Sequence, residues 1–156
     1  MIASDVNAPT DPTDTVTPRP LEVLIIEDNV EEIRLIREGI ANSCTGFALN
    51  VRIAKDGEQA LIMLLHEKYR PDMILLDLGL PKIDGHTVLH RVRSEGVDLA
   101  STPIVVFSAS EHKIEEVLDA GANAYIIKPS GLTDYLKAIE RFAVLWLKPR
   151  ANCART

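Results

Sequence analysis

From Leu21 onward the chain alternates between short apolar runs and segments of helical period, and few folds accept that pattern. Leu21 to Ile26 is an apolar run of strand length. Asn29 follows as an N-cap, with Glu31 and Glu32 where the helix dipole favours acids and Ile33, Ile36 and Ile40 at helical spacing. Phe47 to Ala54, Asp72 to Leu76, Pro103 to Phe107 and Ala124 to Ile127 read as the remaining strands. Gly57 to Lys68, Gly85 to Ser94, Glu111 to Ala120 and Leu132 to Leu147 read as the helices between and after them. Strands apolar on both faces and separated by helices specify an α/β doubly wound parallel sheet, five strands with five helices. In such sheets ligands bind beyond the carboxyl ends of the strands, so chemistry is expected at that edge.

The residues that follow the strands are not neutral. Glu27 and Asp28 follow the first strand, Asp77 the third, Ser108 the fourth, and Lys128 with Pro129 the fifth. Three carboxylates at one edge repel, and either take up protons or bind a cation. A small hard cation such as Mg²⁺ takes oxygen ligands and keeps several waters, leaving positions open for a phosphoryl oxygen. Lys128 supplies a mobile point charge suited to phosphate, and Ser108 a hydroxyl donor. Phosphoryl transfer needs chiefly positioning and charge neutralisation, so the inventory suffices. The only nucleophiles in it are the acids, and Asp77 is the central one.

Together Glu27-Asp28, Leu75-Leu76-Asp77, Leu80-Pro81 with Asp84-Gly85, Ser108-Ala109 and Lys128-Pro129 resemble the receiver domain of two-component response regulators. The resemblance covers roughly residues 21 to 147. It implies the flavodoxin-like strand order 2-1-3-4-5, with Asp77 as phosphoacceptor for a sensor histidine kinase. It also implies a Mg²⁺ or Mn²⁺ site of Glu27, Asp28, Asp77 and the backbone carbonyl of Gly79. Ser108 becomes the switch hydroxyl, Tyr125 the switch aromatic, and Lys128 the partner of the phosphoryl group. Two residues depart from the usual pattern: Leu80 stands where Met is frequent, and Glu27, with one more methylene, where Asp is frequent. A flavin-binding reading fails at the acidic segment Glu27 to Glu32, which would repel phosphate. A dehalogenase-type phosphatase needs a second acid where Gly79 stands, and no G-x-G-x-x-G follows the first strand.

The rest of the chain sets the context. Residues 1–20 hold Pro9, Pro12, Pro18 and Pro20 among small polar residues and read as a flexible arm. Residues 148–156 read as a short tail, so the receiver is expected to signal through its own surface rather than as an enzyme acting on a separate substrate. The net charge of −6 over 156 residues argues against nucleic acid as a partner. No run approaches the ~18 apolar residues of a membrane span, and Cys44 and Cys153 cannot form a disulfide framework, which fits a cytoplasmic protein. His86 and His90 share one helix face but have no evident third ligand. In the last helix Leu132, Leu136, Ile139 and Ala143 make the expected inward stripe, with Tyr135, Phe142 and Trp146 beside it. Val144, Leu145 and Leu147 continue the apolar surface around the rod, which predicts a homodimer seam there. The ending Phe142 to Leu147 further resembles the single-domain regulators that accompany bacterial and cyanobacterial phytochromes, implying a bacteriophytochrome-type kinase as partner.

Overall fold

The computed structural model describes residues 19–154, and most of the arm assigned to residues 1–20 lies outside them. Arg19 closes that arm with a two-pronged ion pair to Asp72, at 2.9 and 2.8 Å. Asp72 also accepts a hydrogen bond from the Glu22 backbone N–H at 2.8 Å, which ties the start of the first strand to the approach to the third.

Five strands form one parallel sheet: β1 (Leu21–Ile26), β2 (Leu49–Ala54), β3 (Met73–Leu76), β4 (Ile104–Ser108) and β5 (Ala124–Ile127). Their order is β2-β1-β3-β4-β5, as the resemblance implied. The three inner strands are buried on both faces, whereas β2 alternates and β5 is half-covered, because an edge strand has a helix over less of its surface. On one face Val23, Ile25, Leu75 and Val105 meet Ile36 and Ile40 of α1 (Val30–Ser43) and Ile139 and Phe142 of α5 (Leu132–Phe142). On the other face Leu24, Ile26, Ile74 and Val106 meet Leu61 of α2 (Gly57–Leu61) and Val88, Leu89 and Val92 of α3 (Gly85–Glu95). Val117 of α4 (Ile114–Asp119) completes this second layer. Helix α2 continues as a π-helical turn, Ile62–His66.

Three helices start at the carboxyl edge of the sheet with a side-chain cap. Asn29, Asp56 and Asp84 each accept the N–H of the residue three positions on, at 3.1, 2.7 and 2.8 Å. Asn29 fills the cap role expected of it. Between β3 and α3, the segment from Leu78 to Asp84 is held by close approach. The Gly85 N–H donates to the Leu78 carbonyl at 2.9 Å, and the Gly57 N–H to the Pro81 carbonyl at 3.4 Å. A Cβ on Gly57 would lie 1.9 Å from the Ile83 carbonyl oxygen, so only glycine lets α2 come this near.

The last helix departs from expectation in phase and in length. Leu132 and Leu136, assigned to the inward stripe, are exposed, and the buried residues are Tyr135, Ile139, Phe142, Ala143 and Leu147. Leu147, assigned to the surplus surface, is core. A π-helical segment, Ala143–Leu147, follows α5 and leads into α6 (Lys148–Ala154), so the rod extends through most of the predicted tail. The wider π turn sets the phase in which Leu147 and then Ala151 point inward.

Candidate functional site

The site is built from strand ends. Asp77 directly follows β3, and its N–H donates to the Ile26 carbonyl at 3.0 Å, which fixes it beside the end of β1. Glu27 and Asp28 come off β1, and one carboxylate oxygen from each of Glu27, Asp28 and Asp77 falls within a mutual 4.8 Å. Glu27 and Asp77 are buried and Asp28 is exposed. An all-oxygen donor set of this charge fits a hard divalent cation such as Mg²⁺ or Mn²⁺.

Opposite the acids stands Lys128, one residue beyond β5. Its ammonium lies 2.8 Å from Glu27, 2.9 Å from Glu32 and 3.4 Å from Asp77, with the Phe107 ring at 5.6 Å. Burial disfavours its charge, but the hydrogen bonds it donates to Glu27 and Glu32 and the nearby Asp77 charge outweigh that and hold the amine above its ordinary pKa. Both Glu27 oxygens are engaged, one by Lys128 and the other by the Asn29 N–H at 3.1 Å.

Burial raises the Glu27 carboxyl, and the Asp77 charge adds to the rise against the Lys128 bond, so its pKa is pushed up to about 7. A carboxyl raised on folding favours the folded state while protonated, and loses that favour as pH climbs from its ordinary value near 4.5 through about 7. Without divalent metal, the thermal midpoint of the parent is expected to fall across that window relative to Glu27→Gln. Parallel profiles for the two proteins in thermal scans would remove the assignment.

Ser108 ends β4, buried, and its hydroxyl oxygen accepts the Ser110 N–H at 3.4 Å. The Tyr125 hydroxyl, half-buried on β5, donates to the Ser110 carbonyl. The segment after β4 is thus pinned between the Ser108 hydroxyl and the Tyr125 phenol. Gly79 lines the same pocket as Asp77, Ser108 and Lys128. Every residue singled out at the strand ends therefore adjoins one pocket or the segment bordering it. His86 and His90 stand apart: His86 faces Glu116 at 3.4 Å and His90 is exposed.

Among the pocket residues not assigned to it from the sequence are Glu32 and Tyr135. Glu32 was read only as a first-turn acid. Its position in the first turn of the helix that starts just after Glu27 and Asp28 was the available signal, since that turn opens at the edge where the acids lie. Tyr135 had none, because its hydroxyl reaches Glu32 across 103 residues of sequence, at 2.8 Å.

Comparison with known proteins agrees with this geometry. Residues 23–140 match the response regulator receiver domain. The response regulator MprA of Mycolicibacterium vanbaalenii is 36% identical over 119 residues, which is 75% of this chain and 48% of MprA. The chain thus spans about half the length of such curated relatives. Among solved structures, the phosphorylated cyanobacterial phytochrome response regulator RcpA superposes with a TM-score of 0.77 at 32% identity, covering 84% of this chain and 96% of RcpA. The Mn²⁺-bound form of response regulator Rcp1 gives 0.75 at 31%, covering 83% and 96%. With the receiver sheet order, the acidic triad at its carboxyl edge and a family match over most of its length, this chain belongs to the response regulator receiver domain family.

Proposed function

We propose that Asp77 accepts a phosphoryl group from a phosphohistidine of a sensor histidine kinase, in a reaction that requires Mg²⁺ or Mn²⁺. One observation carries this reading: the buried Asp77 carboxylate has two further acids on one side and the Lys128 ammonium, 3.4 Å away, on the other. Glu27, Asp28, Asp77 and the Gly79 carbonyl would hold the metal, which when bound neutralises charge on the transferring phosphoryl oxygens. An Asp77 oxygen attacks phosphorus while the donor's P–N bond breaks. The electron pair stays on the imidazole nitrogen, and an acyl phosphate forms on Asp77. Lys128 pairs with the phosphoryl oxygens and Ser108 donates its hydroxyl to one of them. Drawing Ser108 toward the phosphoryl group pulls on the Ser110 N–H, and Tyr125 bonds the carbonyl of that same residue. A charge event at Asp77 thereby reaches the β5 surface. Incubation with acetyl phosphate and Mg²⁺ should add one phosphoryl group per chain by intact-mass measurement, and none after chelation. Equal labelling with and without chelator would overturn the metal requirement.

The likeness to RcpA supports a phytochrome-type kinase, bacteriophytochromes included, as the donor. A receiver that signals through its own surface from the cytoplasm fits the absence, among the described residues, of any helix long and apolar enough to cross a membrane.

We propose also that two copies pair along the last helix. Leu132, Leu136, Val144 and Leu145 are exposed there, and Ile127 of β5 joins them. Burying apolar surface is worth about 25 cal/mol per Å², and a two-fold pair needs only one self-matching patch. Leu145, 62% exposed, is the position to test, because its replacement leaves the core intact. Leu145→Glu should sediment as a monomer at micromolar concentration where the parent sediments as a dimer. A parent that is monomeric with and without phosphorylation contradicts the seam.

A further inference from the structure

The phosphoryl-transfer reading gives no task to Glu32 and Tyr135, although both line the pocket around Asp77. Glu32 is held on three sides. Its N–H bonds the Asn29 cap at 3.1 Å, and one and the same carboxylate oxygen takes the Tyr135 hydroxyl at 2.8 Å and the Lys128 ammonium at 2.9 Å. A first-turn glutamate serving only the helix dipole has no need of a buried phenol to brace it. Tyr135 is itself in the core, its ring tilted against Phe107 with centroids 5.2 Å apart, so its hydroxyl is fixed in place.

Lys128 thus has three acidic partners, and they are not equivalent. In the proposed reaction Glu27 and Asp77 would hold the metal, and Asp77 receives the phosphoryl group. Glu32 has neither of these roles, so neither relieves its hold on Lys128 at 2.9 Å. An incoming phosphoryl group meets a fixed negative charge at the pocket wall, and must draw the ammonium away from it.

We propose that Glu32, braced by Tyr135, is a positioning residue that competes with the phosphoryl group for Lys128 and so sets the rate at which Asp77 is phosphorylated. This rests on the phosphoacceptor reading above. Neither residue touches the reacting atoms. Both act through the placement of one ammonium.

The test is the rate of phosphorylation of the full chain by acetyl phosphate at saturating Mg²⁺, followed by intact mass. Glu32→Gln keeps the amide-sized side chain and an acceptor for Tyr135 but removes the charge, and should raise the second-order rate about tenfold, the scale of one unit charge a few ångströms from a partly screened anion. Tyr135→Phe leaves the charge and removes the brace, and should raise the rate in the same direction by a smaller factor. With Lys128→Gln in the background, Glu32→Gln should have little further effect, because the competition it relieves is gone. A merely structural role predicts lower thermal midpoints with unchanged rates, and that result overturns the proposal. So does a Glu32→Gln effect that survives intact without Lys128. If the parent itself takes no phosphoryl group, the phosphoacceptor reading fails; if the parent is phosphorylated and both variants match it, only the role of Glu32 falls.

Discussion

Alanine at position 85 should destabilise the chain by about 3 kcal/mol or more, at the upper end of what overpacking costs. A Cβ there would lie 2.2 Å from the Asp77 carbonyl oxygen and 2.7 Å from the Leu78 Cα, and both obstacles are backbone. No rotamer change relieves such a clash. Either the start of α3 moves out, breaking the 2.9 Å bond from the Gly85 N–H to Leu78, or the main chain of Asp77 shifts. Asp77 carries the site, so Gly85→Ala should weaken Mg²⁺ binding by calorimetry along with lowering the unfolding midpoint. Gly131→Ala is the control: its Cβ meets nothing within 4 Å and its φ is −91°, so the cost should stay within the ~1 kcal/mol of an altered helix cap. Equal midpoints for Gly85→Ala and the parent would mean that α3 does not seat against Asp77.

Asp77→Asn should reduce phosphorylation to background while leaving the fold intact. The amide keeps the shape and an acceptor oxygen but is no nucleophile, and it removes one of the three charges that crowd the edge. Lys128 retains Glu27 at 2.8 Å and Glu32 at 2.9 Å, so no buried cation is left unpaired. The unfolding midpoint should therefore hold or rise, a combination that separates loss of the acceptor from loss of the fold. Calorimetry should show weaker Mg²⁺ binding in the same variant. Labelling of this variant to the parent's extent would move the acceptor elsewhere.

The fold was legible because its signal is local. The inner strands are largely apolar runs, unbroken in Met73 to Leu76, and α1 carries its own stripe in Ile33, Ile36 and Ile40. The site was legible for a related reason. Glu27, Asp28, Asp77 and Lys128 each follow a strand and Ser108 ends one, and parallel strands bring all such positions to one edge. What the sequence hid is set by contacts between distant elements. Leu132 stands at the first position of α5, beyond the end of β5, where neither layer of the core reaches it. Tyr135 turns inward in place of Leu136 because the sheet offers it Phe107 and α1 offers its hydroxyl Glu32. The π segment then sets the phase by which Leu147 is core while Val144 and Leu145 face out. A period of 3.6 read along the sequence cannot register such a turn.

The central claim is that one carboxylate, that of Asp77, carries the phosphoryl group. An acyl phosphate is reduced by borohydride to the corresponding alcohol, so an aspartyl phosphate becomes homoserine where the group was attached. The chain, phosphorylated with acetyl phosphate and Mg²⁺, reduced, digested and sequenced by mass spectrometry, should carry homoserine at position 77 and unmodified Glu27 and Asp28. Reduction at either of those two acids, or a phosphorylated chain that yields no alcohol at all, would contradict the account.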